Sequence, residues 1–107
     1  MSKERILRAC GLMKEMVRKT AKKSGAEPLT PTYLNAAIRF PSARQHLEHL
    51  LFLCEKEIPR LLSSGNERTA RDQIVFMEGI LCGNGSFGVE RCGFGEVNRL
   101  LGLHLDA

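Results

Sequence analysis

Ala43-Arg44-Gln45-His46-Leu47-Glu48-His49-Leu50-Leu51-Phe52-Leu53-Cys54-Glu55-Lys56-Glu57-Ile58-Pro59-Arg60-Leu61 is the stretch on which the fold turns. Ala43, Leu47, Leu50, Cys54 and Ile58 recur at steps of four, three, four and four, the period of an α-helix with one apolar stripe. Leu51 and Leu61 widen that stripe. Phe52 and Leu53 carry apolar character around most of the helix, which suits a central position or an interface. Pro59 lacks an amide proton and clashes with the carbonyl of Glu55, so a kink or restart is predicted there, with a stop at Ser63-Ser64-Gly65.

Upstream, residues 4–23 predict a first helix. Ile6, Cys10, Met13 and Val17 form its apolar stripe, flanked by Ala9, Met16 and Thr20, while Arg8, Glu15, Arg18, Lys19 and Lys22 fall on the other side. Lys-rich composition suits the last turn of a helix, and Ser24-Gly25 predicts its end. Thr30-Pro31 has the form of a helix start, predicting a short helix from Thr32 to Arg39 that Phe40-Pro41-Ser42 breaks.

Downstream, Ser64-Gly65-Asn66-Glu67 has the form of a capping box. A helix is predicted to follow it, with Ala70, Ile74, Met77 and Leu81 inward and Val75, Phe76 and Ile80 broadening the apolar surface. Residues 83–93 are glycine-rich, with Phe87-Gly88-Val89 as a short strand candidate. A last helix is predicted from Glu96 to Leu101, closed by Gly102. The expectation is an all-α protein: one helical domain spanning 1–107, a compact bundle of four to five helices with a short Gly-rich loop before the C-terminal helix.

The chain has 107 residues and a net charge of +4, and its apolar content is that of an ordinary globular domain. The charge is uneven. Residues 1–23 carry eight basic and two acidic side chains, and the rest carry eight basic and ten acidic. A local basic strip at Arg8, Arg18, Lys19 and Lys22 is expected, rather than a cationic coat. No apolar run approaches the roughly 18 residues of a membrane span, so no membrane partner is expected. The opening residues do not read as a secretory signal, and Cys10, Cys54, Cys82 and Cys92 follow no disulfide framework, so reduced thiols and a cytoplasmic location are expected.

Several patterns point toward chemistry and fall short of it. Gly83-Asn84-Gly85-Ser86-Phe87-Gly88 has the glycine spacing of a phosphate loop, but a helix is predicted before it and only 19 residues follow, too few for a βαβ unit. Cys82, Cys92 and His104 bring zinc-type ligands to one third of the chain, without knuckle spacing or a fourth ligand. His46-Leu47-Glu48-His49 spaces its histidines three apart where a zinc protease needs four, and Cys54 is about 140° around the helix from His49. No catalytic, cofactor or metal residues are assigned.

The expected function is therefore that of a small non-enzymatic regulatory or adaptor protein, inhibitor- or antirepressor-like, that binds a protein partner and self-associates as a homodimer. Leu51, Phe52, Leu53, Val75, Phe76 and Ile80 are the candidate interface. The alternative is a nucleic-acid partner: a transcriptional regulator with a helix-turn-helix-like segment at 32–47, reading DNA through Ser42, Arg44, Gln45 and His46.

Overall fold

The computed structural model describes residues 2–33, 42–83 and 87–103. Among these the fold is a small all-α bundle with no strand. Helix α1 spans Lys3–Ser24, α2 Ala43–Phe52, α3 Ile58–Ser63, α4 Glu67–Cys82 and α5 Gly95–Leu100. A π-helical turn at Leu53–Glu57 joins α2 to α3, and a 3-10 turn at Arg91–Phe94 leads into α5.

The first helix is the hub, packed against α2, α4 and α5. Ser2 caps its start by accepting the Arg5 amide, and Gly25, at φ 70°, ends it by donating to the carbonyls of Ala21 and Lys22. The predicted stripe of Ile6, Ala9, Cys10, Met13 and Val17 is buried. It meets Leu47 and Leu50 of α2, Ile74 and Met77 of α4, and Val97 and Leu100 of α5 in one core. The final helix rests on the predicted Phe94, Val97, Leu100 and Leu101, all buried, and Gly102 closes it at φ 73°.

Pro59 acts as its chemistry requires, though the break lies just before it. The Ile58 amide bonds the Leu53 carbonyl, five residues back, which is the π register. Position 59 has no proton to give. The Cys54 carbonyl thereby loses its helical donors in either register, and the Cys10 thiol donates to it instead at 3.3 Å.

Other expectations are overturned. No helix starts at Thr30-Pro31, because residues 31–33 are not helical. The Thr30 and Thr32 amides are held by Glu48 of α2, through its carboxylate at 2.7 Å and its carbonyl at 3.2 Å. The remainder of the helix expected over 32–39 lies outside the described residues. The box at Ser64 does not form either. Ser64 Oγ turns back onto the carbonyls of Arg60 and Leu61, and α4 starts at Asn66 without a side-chain cap. Gly65, at φ 81°, swings the chain so that the Asn66 amide closes α3 on Leu61 O, leaving Ser64 on the wrong helix. Phe87-Gly88-Val89 is not a strand; the Val89 amide bonds Leu81 at the end of α4.

Two polar side chains went unpredicted in the core. Glu78 of α4 and Asn98 of α5 are 4% and 3% exposed, and Asn98 Nδ2 donates to Glu78 Oε1 at 3.0 Å. Glu78 sits four residues after Ile74, on the buried phase of α4, so the signal was a carboxylate at a stripe position.

Candidate functional site

Helix α4 presents Asp72, Val75, Phe76 and Gly79 to solvent, with Ile80 half-buried at their edge. These positions follow a three-four spacing, so they form one strip along the helix. Phe76 is 56% exposed and Val75 39%, which puts both among the few large apolar side chains left on the surface. A Cβ at Gly79 would meet nothing within 4 Å. No internal contact demands glycine there, although glycine costs a helix about 1 kcal/mol relative to alanine. An approaching surface would find Gly79 flat beside the Phe76 ring.

The six-residue interface expected from sequence is divided by the structure. Val75 and Phe76 are exposed, and Phe52 and Ile80 are half-buried. Leu51 and Leu53 are 2% and 6% exposed and belong to the core, so neither can line a docking surface. Leu51 follows Leu47 by four residues and Leu53 follows Leu50 by three, so both extend the buried side of the segment. Phe52 stands apart from the α4 strip, edge-to-face with Tyr33 at 5.7 Å.

On α1, Arg8, Arg18, Lys19 and Lys22 are all exposed, as expected. The strip they form is interrupted. Glu15 lies on the same face, and Arg18 joins Lys14 on the Glu55 carboxylate, at 3.3 and 3.0 Å. Beside Lys19 and Lys23 opens a groove of ≈ 590 Å³, with Met16, Phe87 and Val89 as its apolar lining.

At the start of α2 the side chains expected to read bases are committed within the chain. Ser42 and Gln45 form a capping box: Ser42 Oγ accepts the Gln45 amide at 3.3 Å, and Gln45 Oε1 accepts the Ser42 amide at 3.1 Å. Arg44 donates to the Pro28 carbonyl at 2.8 Å. His46 is half-buried, edge-to-face with Phe87 at 5.9 Å. Burial holds both His46 and His49 below the usual imidazole range, and for His46 the nearby His49 adds to the effect.

The cysteines divide into two sets. Cys82 is half-buried and Cys92 exposed, and burial, with the Glu78 carboxylate nearby, pushes the Cys82 thiol up. His104 lies outside the described residues. Among the described residues no three His, Cys, Asp or Glu side chains stand together as a metal site, and no helix is long and apolar enough to cross a membrane. Cys10 and Cys54 are buried in the core. Set against models of known protein families, curated proteins and solved structures, the chain matches none.

Proposed function

We propose that this is a non-enzymatic regulatory or adaptor protein of the inhibitor or antirepressor kind, acting through protein contacts made by the outer strip of α4. The observation that carries the reading is Phe76, 56% exposed beside Val75 on a helix whose inner stripe is fully satisfied. Aromatic anchors next to a flat position are what interface cores use. The occupant we name is a second copy of the chain. A strip along one helix can meet its own image about a two-fold axis, and Gly79 permits the close approach this needs.

Sedimentation equilibrium tests the proposal. The wild-type protein is expected to be a dimer and Phe76→Asp a folded monomer. A wild-type protein that stays monomeric at its solubility limit overturns self-association. A dimer that survives Phe76→Asp moves the interface elsewhere.

The exposed cations of α1 support a second reading, in which Arg8, Lys19 and Lys22 contact nucleic-acid phosphates. Its readout is duplex retention at low salt, with a shallower salt dependence for Lys19→Ala/Lys22→Ala. The intramolecular partners of Ser42, Arg44 and Gln45 favour the first reading, since bases would have to displace them.

A further inference from the structure

Three sulfur atoms from three separate elements meet in the core. Cys10 comes from α1, Cys54 from the π turn and Met77 from α4. Cys54 Sγ donates toward Met77 Sδ at 3.7 Å, and Cys10 Sγ donates to the Cys54 carbonyl at 3.3 Å, which sets the Cys10 sulfur against the residue that carries the second thiol. Trigonal coordination with metal–sulfur bonds of about 2.3 Å spaces its sulfurs about 4 Å apart. The observed Cys54–Met77 separation is within a few tenths of an ångström of that spacing.

We propose that Cys10, Cys54 and Met77 form a binding site for a monovalent soft cation, Cu(I). Two thiols and a thioether are the ligand set that cuprous ion prefers, and three ligands suit it. Zinc asks for a fourth ligand, and none stands here among the described residues. Binding replaces the two S–H bonds by two S–Cu bonds and releases two protons to solvent, with copper staying in the +1 state throughout. The resulting bis-thiolate complex carries one negative charge. Lys14, one helical turn after Cys10 on α1, offsets that charge. Lys14 and Glu55, which follow Cys10 by four residues and Cys54 by one, pair at 3.0 Å and are each partly exposed. Both thiols must give up a proton to bind the ion, so protons compete with the metal.

The test uses the full-length reduced protein under anaerobic conditions, titrated against the coloured Cu(I)–bicinchoninate complex. Removal of one equivalent of copper is expected, with a thiolate-to-copper band in the near ultraviolet and weaker binding as pH falls. Cys82→Ser/Cys92→Ser should behave as wild type. Cys10→Ser/Cys54→Ser should leave the chelator complex intact. Met77→Leu, chosen to preserve the core, should weaken binding by at least about tenfold, the lower bound for losing even an outer-shell partner. No transfer to the wild-type protein overturns the proposal. So does binding that depends on Cys82 and Cys92, or that is unchanged in Met77→Leu.

Discussion

Helices α1 and α4 lie against each other and bury equally regular apolar stripes, yet they treat their remaining positions in opposite ways. The outer face of α1 is mostly charged, with Leu7 exposed among the charges, and nothing charged is buried on its inner side. On α4 a carboxylate, Glu78, is inside and a phenyl ring, Phe76, is outside. A helix shaped only by burial of apolar area would not exchange them, because a buried carboxylate costs more than an exposed ring gains. Leu7 aside, the first helix is thus explained by the bundle alone. The fourth is explained only when Asn98 answers Glu78 and another surface answers Phe76.

The likeness of the inner stripes gives the largest expected effect. Met13→Ala and Ile74→Ala remove fully buried side chains, one from each helix, and each should cost about 2–5 kcal/mol in urea unfolding. A much smaller loss at Ile74 would mean that the α4 stripe is not core. The contrast inside the molecule comes next. Asn98→Ala strips Glu78 of its amide partner and should cost about 1–3 kcal/mol or somewhat more, while Glu78→Leu/Asn98→Leu should recover most of it. A double-mutant cycle without coupling would dissolve the pair. The contrast on the outside is smallest in stability and largest in assembly. Phe76→Ser and Lys19→Ala should each change monomer stability by less than about 0.5 kcal/mol. Only the first should shift the sedimentation equilibrium, and equal behaviour of the two would erase the difference between the faces.

The stripes of α1 and α4 were legible because a 3.6-residue period survives in sequence wherever a helix lies against a core. Capping was legible in form but not in place. Ser42 and Ser64 both begin a suitable pattern, yet only Ser42 caps the helix after it, because Gly65 turns the chain immediately behind Ser64. Half of the α4 strip could be read from Val75 and Phe76, which fall beside the inward phase. Leu51, four residues after Leu47, already widened the core stripe in sequence, whereas Leu53 fell away from the centre of that stripe and read as surface. Glu78 was readable as a misplaced charge. The sulfur cluster was not readable at all, because its three members are neighbours only after α1, the π turn and α4 have packed.

The carbonyl left bare by Pro59 ties two remote positions to one another. A residue with an amide proton at 59 would supply Cys54 O from within its own helix, and a thiol at 10 would no longer be needed for that task. Change at either site therefore alters what the other will tolerate. Drift in this chain is expected to move the two together, as a correlated pair of substitutions rather than as independent events.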